Sequence, residues 1–180
     1  ISTYRQGLSF QMNFDSPSES PATSAQQWFD EAVAAKATPN PLAVALSTVD
    51  SDGKPSTRMV LLKGFDEKGA VFYTNYASPK ALDLVNNTHA SMLFHWDDSQ
   101  RQLRIRGTVT KVSEEESDAY FATRQKLSQV SAWASHQSQP LKSRAALMAK
   151  VAALMAKWVG RNVPRPQHWG GLRVSLDEIE

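Results

Sequence analysis

Three cations sit at the ends of successive apolar segments. Arg58 opens the run Arg58-Met59-Val60-Leu61-Leu62-Lys63, Lys63 closes it, and Lys80 follows Phe72-Tyr73-Thr74-Asn75 by way of Ser78-Pro79. Ser78 and Pro79 read as the N-cap and first residue of a helix. Cations, hydroxyls and a helix N-terminus hold phosphate, while backbone groups line a flat ring system. This stretch therefore has the chemistry for a phosphorylated, planar cofactor. A strand-end cation is more often simply solvated, so the reading rests on agreement with residues further along. Gln102 starts a later strand and offers an amide that both donates and accepts. Tyr120, Arg124 and Ser128 form a second set around a helix end and the next helix start. An Arg with hydroxyl donors is a phosphate cradle. Alone, an Arg at a helix end commonly just complements the helix dipole. Gln137-Ser138 follows an apolar helix and is unspecific by itself. Two anion sites on an apolar barrel fit one phosphorylated cofactor and one phosphorylated substrate.

Other chemistries find little support. His89, His95, His136 and His168 are scattered, with no metal-ligand pair on one helix. His95 alternates with core positions and reads as a packed or barrel-mouth residue. There is no Cys, which excludes a thiol nucleophile and a disulfide framework in this stretch. No nucleophile elbow or phosphate-binding P-loop occurs, and no carboxylate pair stands out for acid–base work. Lys and Arg number 20 against 18 acidic residues, a net charge of +2. That gives no case for nucleic acid as the main partner. No apolar run approaches the ~20 residues of a membrane span, and a cytoplasmic protein is expected. At 180 residues the chain suits one domain that buries roughly 70 percent of its unfolded surface.

The elements that must position these residues are short strands with helices between them. Residues 1–22 read as a polar N-terminal arm and 23–180 as a single domain. A helix is expected from about Ser24 to Lys36. Strands follow over Leu42–Val49, Thr57–Lys63 and Gly69–Thr74, then a short helix over Pro79–Val85. A second hairpin covers Ser91–Trp96 and Gln102–Lys111. Ser113 to Glu116 is a capping box that opens a helix to about Arg124. Further helices cover Ser128–Ala134 and Leu141–Val159. Gly170-Gly171 reads as a tight turn before a last strand, Leu172–Glu180. Consecutive antiparallel strands with peripheral helices make the chain mainly β with α, a closed or partly closed barrel. The start at Ile1 and the stop at Glu180, inside an apolar-alternating run, read as ends cut from a longer polypeptide or trimmed to ordered residues, with truncation expected at the C-terminus.

The runs STRMVLLKGFDEKGAVFYTNYASPKA, RQLRIRG, YFATRQKLSQVSAWASHQS and WGGLRVSLDEIE together resemble pyridoxamine 5′-phosphate oxidases, in that family's order, from about Trp28 to Glu180. The resemblance implies an FMN-binding split β-barrel working as a homodimer, with FMN at the subunit interface. It implies FMN contacts at Arg58, Met59, Val60, Leu61, Leu62, Lys63, Tyr73, Thr74, Ser78, Lys80, Gln102, Gln137 and Ser138. Lys63, Tyr120, Arg124 and Ser128 match substrate positions, the last three at its phosphate, and Tyr4 matches a residue of a mobile arm. The implied reaction is oxidation of pyridoxamine or pyridoxine 5′-phosphate to pyridoxal 5′-phosphate, with O2 as acceptor. The flavin carries the chemistry, so no catalytic acid or base and no metal is implied.

Three departures accompany the resemblance. Pro79 stands where the family usually has Arg, leaving Lys80, Arg58 and the helix N-terminus to hold the phosphate. Gln125 replaces Pro after Arg124. The family continues past Glu180 into further ligand-binding residues. A related flavin oxidase acting on another ring, as in phenazine biosynthesis, is an alternative. A non-catalytic flavin or pyridoxal-phosphate binding module is another. Strands carrying Met59, Leu61, Leu93 and Ile105 are the expected dimer contacts.

Overall fold

The structure, a computed structural model, describes residues 20–36 and 38–180. Tyr4 and most of the proposed arm lie outside the described residues. The first helix, α1 (Pro21–Ala35), begins earlier than Ser24 because Pro21 fits the first helical position; Ser20 gives no side-chain cap. Strands β1 (Ala43–Val49), β2 (Pro55–Asp66) and β3 (Gly69–Asn75) follow, then helix α2 (Pro79–Asn86). Next come β4 (His89–Trp96), β5 (Arg101–Lys111) and helices α3 (Glu114–Thr123), α4 (Lys126–Ala134) and α5 (Arg144–Lys157), and finally β6 (Trp169–Val174) and β7 (Glu178–Ile179).

Strands β1 to β6 close into a six-stranded antiparallel barrel, in ring order β1-β2-β3-β6-β5-β4, and β7 adds to β5. Alternation sets its interior. Val44, Leu46 and Thr48 of β1 are buried while their neighbours are not, and Met92, Phe94 and Ile105 fill the same core at 0% exposure. Ile105 itself is thus an interior residue, and its strand is exposed at alternate positions such as Arg104 and Arg106. Met59, Leu61 and Leu93 do face outward and are exposed. β3 and β6 are buried almost throughout, since the barrel core lies on one side and α3, α4 and α5 pack a second cluster on the other. Phe121, Val130, Trp158, Val163 and Trp169 form that second cluster.

The C-terminal region departs from expectation. Gly170 and Gly171 are not a turn but lie inside β6, paired with Thr74 and Tyr73. A Cβ on Gly170 would strike the Tyr76 hydroxyl, and one on Gly171 would press on Val112 and the Tyr73 ring. Close approach, not a turn, explains the glycine pair. The expected single last strand is two, β6 and β7, interrupted by Ser175-Leu176-Asp177. His95 is exposed, beside Asp97 at 3.4 Å, rather than packed.

The barrel is split. β2 pairs with β1 from Pro55 to Leu61, but its ladder to β3 runs only from Leu62↔Phe72 to Asp66↔Gly69. The far edge of Arg58–Leu61 therefore has no strand partner among the described residues. β3 leaves the ladder here and leads, through Thr74 and Asn75, into α2.

Candidate functional site

Strand alternation sorts the Arg58–Lys63 run into two sets. Arg58, Val60 and Leu62 point inward, while Met59, Leu61 and Lys63 point out. Leu62 is wholly buried, so only its backbone can meet a ligand. Lys63 is exposed at the irregularity between Leu62 and Gly64.

At the split, β2, β3 and α2 bring cations together. Lys80 is only 7% exposed. Its ammonium donates to Thr74 Oγ1 at 3.3 Å and Ser78 Oγ at 3.2 Å, and no carboxylate pairs with it among the described residues. Burial first, and the Arg58 charge second, lower its pKa. A buried ammonium held by hydroxyls alone is an incomplete site: it lacks a counter-charge. Arg58 donates to Thr48 Oγ1 at 2.6 Å and Leu46 O at 3.3 Å, and lies 3.6 Å from Asp83. Burial lowers its pKa too, opposed by Asp83. Gln137 closes this corner, its Oε1 accepting from Thr74 Oγ1 and Asn75 N–H, both at 3.4 Å.

The helix N-terminus contributes less than expected. Ser78 occupies the N-cap position but its hydroxyl caps nothing; it accepts from Lys80 instead. Pro79 has no N–H, and those of Ala81 and Leu82 both bond to Ser78 O. Among the described residues only the Lys80 amide of the first turn is unspent, so side chains carry the anion site.

The second site lies on the other face of β3. Tyr73 stacks on Tyr120 with centroids 3.9 Å apart and on Trp169 at 5.4 Å. Tyr73 therefore joins this cluster while its neighbour Thr74 joins Lys80. Burial is the main cause that pushes the Tyr73 phenol up to about 12. Arg124 lies with its guanidinium 4.6 Å from the Trp169 ring centroid. Its Nη1 is buried with no hydrogen-bond partner, and burial lowers its pKa. The Arg124 guanidinium does not complement the end of α3; Gln129 does, donating to Phe121 O at 2.9 Å and Ala122 O at 3.4 Å. An aromatic wall with a half-buried, unneutralised guanidinium has the chemistry to take an anionic, planar ligand.

Ser128 is half-buried one turn along α4. Gln102 sits exposed on β5 opposite His95. Ser138 is exposed with a positive φ of 63°. The sequence reading missed Thr48, Asp83, Gln129 and Trp169. Thr48 was visible as a polar residue at an inward position of β1, and Asp83 as the residue one helical turn after Lys80.

A family profile described as pyridoxamine 5′-phosphate oxidase matches residues 29–157. The chain belongs to the pyridoxamine 5′-phosphate oxidase family. Within that family, the pyridoxine/pyridoxamine 5′-phosphate oxidase of Cupriavidus necator is 53% identical over 160 residues, covering 89% of this chain and 74% of that protein. Its namesake from Rubrobacter xylanophilus is 51% identical over 154 residues, covering 86% and 70%. These names make the chain a relative of oxidoreductases. Among solved structures, PhzG from Burkholderia lata, in complex with tetrahydrophenazine-1-carboxylic acid, superposes with a TM-score of 0.86. It is 34% identical, with 92% of this chain and 81% of that chain covered. A pyridoxamine 5′-phosphate oxidase-related, FMN binding protein from Nostoc punctiforme shares the fold at TM-score 0.69 and 16% identity. The barrel is the split barrel of this oxidase family.

The residues present fit FMN. Among the described residues the Lys80 ammonium lacks a counter-ion and the edge of Arg58–Leu61 lacks a strand partner, so its backbone groups are open, and Arg58 brings a second cation.

Proposed function

We propose that this chain is the FMN-dependent oxidase of pyridoxamine 5′-phosphate or pyridoxine 5′-phosphate, using O2 and yielding pyridoxal 5′-phosphate in a cytoplasmic homodimer. The observation that carries this is Arg124: a half-buried guanidinium with an unpaired nitrogen, over an aromatic wall, with no carboxylate partner among the described residues. A phosphorylated ring would satisfy both features at once. The alternative, a flavin oxidase of a ring without phosphate, leaves that nitrogen orphaned.

FMN, when bound, supplies the two-electron redox chemistry between substrate and O2. Overall, C4′ of the substrate gives up two electrons and O2 becomes hydrogen peroxide; the amine substrate also exchanges its nitrogen for water's oxygen, releasing ammonia. The chain's residues bind and orient. Lys80, with Thr74 and Ser78, and Arg58 hold the cofactor phosphate. Backbone groups of Met59, Val60, Leu61 and Leu62 line its ring, with Lys63, Gln102, Gln137 and Ser138 at its margins. Arg124, Tyr120 and Ser128 clamp the substrate phosphate. Tyr73, Tyr120 and Trp169 exclude water from one side. Holding the ring in place is the main contribution, since about 1 Å of misplacement costs on the order of 100-fold in rate.

The outward face bearing Met59, Leu61 and Leu93 is the apolar surface this reading assigns to the dimer. The test is direct: full-length protein purified with FMN is mixed anaerobically with pyridoxamine 5′-phosphate. Bleaching of the flavin absorption, with recovery on admitting oxygen, is the expected result. A flavin that stays oxidised overturns the reading.

A further inference from the structure

Asp83 stands where a phosphate site should have no acid. It lies on α2 one turn beyond Lys80, and its side chain is 13% exposed. Its Oδ2 accepts from Thr48 Oγ1 at 2.6 Å. Thr48 in turn accepts from Arg58 Nη1 at 2.6 Å, and Arg58 Nη2 is 3.6 Å from the same Asp83 oxygen. The Thr48 hydroxyl has one proton, given to Asp83, so the chain of donors runs Arg58 to Thr48 to Asp83 with fixed direction.

The charges in this corner are two cations and one anion. Arg58 and Lys80 contribute +2 and Asp83 contributes −1, leaving +1 to meet the dianion of a phosphate monoester. Without Asp83 the cradle would match that dianion. The guanidinium does not need Asp83 to stay in place, because Leu46 O and Thr48 already hold it.

We propose that Asp83 sets the strength and selectivity of the cofactor phosphate site: by offsetting Arg58, it keeps FMN exchangeable and narrows the preference for phosphorylated over unphosphorylated flavin. The proposal rests on the reading that the Lys80 corner holds the FMN phosphate. Asp83 is a positioning and tuning residue here, acting through Arg58 rather than by touching the reacting ring. A like charge about one helical turn from the ligand costs affinity on the order of 10- to 100-fold at the dielectric of a partly buried site.

The experiment measures FMN and riboflavin dissociation constants by flavin fluorescence, for the apo forms of the unaltered protein, Asp83→Asn and Asp83→Ser. Asn keeps an oxygen to accept from Thr48; Ser is smaller and tests the same charge with different packing. The expected result is FMN binding at least tenfold tighter in both variants, riboflavin binding unchanged, and a steeper loss of FMN affinity with added salt. FMN affinity that is unchanged or weaker, with riboflavin binding retained, overturns the proposal and leaves the functional reading standing. If one variant loses riboflavin as well, its site is not formed and the other decides; loss in both means that Asp83 is needed for the fold, which also overturns the proposal. If the unaltered protein prefers riboflavin to FMN, the cofactor reading itself fails.

Discussion

Gln129 donates its side-chain amide to the carbonyl of Phe121 at 2.9 Å, beside the Arg124 backbone N–H on the same oxygen, and so completes the end of α3 without the Arg124 guanidinium. The consequence is a guanidinium left over. Replacing Gln129 by Leu removes one of two donors on the Phe121 carbonyl, which keeps the Arg124 backbone N–H at 3.2 Å, and should cost about 0.5–1.5 kcal/mol of stability, the net worth of a hydrogen bond. Urea denaturation measures it. A variant as stable as the parent would mean that Arg124 or water takes over the carbonyl.

Arg124→Met should separate stability from binding. In the ligand-free protein it removes a half-buried charge that has no partner, so the melting temperature should hold or rise. Affinity for pyridoxal 5′-phosphate should fall by about 30- to 1,000-fold, the loss expected for an Arg–phosphate pair, with FMN retained. Thermal melts and ligand titration on full-length protein check both. A large drop in melting temperature would make Arg124 a structural residue.

Much of the barrel was legible because its signals are local. The 1-3-5 burial of Val44, Leu46 and Thr48 is the period of a half-buried strand, and Ser113 accepts from the Glu116 amide at 3.1 Å, one half of the expected capping box, while the Glu116 carboxylate accepts from Arg173. The site was legible as residue types but not as groups. Tyr73 and Thr74 are adjacent in the chain yet belong to different clusters, because a strand sends neighbours to opposite faces. Gly170 and Gly171 read as a turn because their reason for being small lies in residues distant in sequence, Tyr76 for one and Val112 with Tyr73 for the other. Asp83 opposite Arg58 is a contact between α2 and β2 that no local pattern announces.

Lys80 should make FMN binding depend on alkaline pH. Its folded pKa is below the ordinary 10.5. In the ligand-free protein, the folded chain then gives up this proton before the unfolded chain does, so stability rises with pH across that window. Phosphate favours the charged form and pulls the pKa back up. FMN binding in the window should therefore take up a proton and weaken as pH rises. Calorimetric titration in two buffers of different ionisation heat measures the uptake. Lys80→Met should abolish the uptake and cost at least tenfold in affinity, near the ~1.5–3 kcal/mol of a charge-assisted bond. Equal heats in both buffers would show that Lys80 stays neutral or does not meet the phosphate.

Gly107 should not accept a side chain. A Cβ there would overlap the backbone carbonyl of Ser175, which cannot rotate away as a side chain could. Ser175 is itself tied to Thr108, its N–H donating to Thr108 O at 3.0 Å. Gly107→Ala should cost about 1–3 kcal/mol by overpacking. Guanidinium denaturation measures it, and a neutral result would show that the Ser175 segment shifts freely.

Tyr73 should be the last of the described tyrosines to ionise. Its phenol lies under Tyr120 and beside Trp169, and burial, with Glu116 adding to it, raises its pKa to about 12. Tyr76 and Tyr120 are raised as well, chiefly by burial. The sign of the linkage is fixed: between the unfolded value of 10.0 and about 12, the unfolded chain loses this proton while the folded chain keeps it. Stability contributed by the neutral phenol is whole below 10.0 and declines as pH rises through that interval. A phenolate absorbance titration of the folded protein, read within seconds of a pH jump, should show a component near 12 that Tyr73→Phe removes. The same variant should flatten the alkaline fall in urea midpoint over that interval. If Tyr73→Phe removes a component titrating at the ordinary value instead, the Tyr73–Tyr120 stack is open to water and cannot serve as the dry wall of the site.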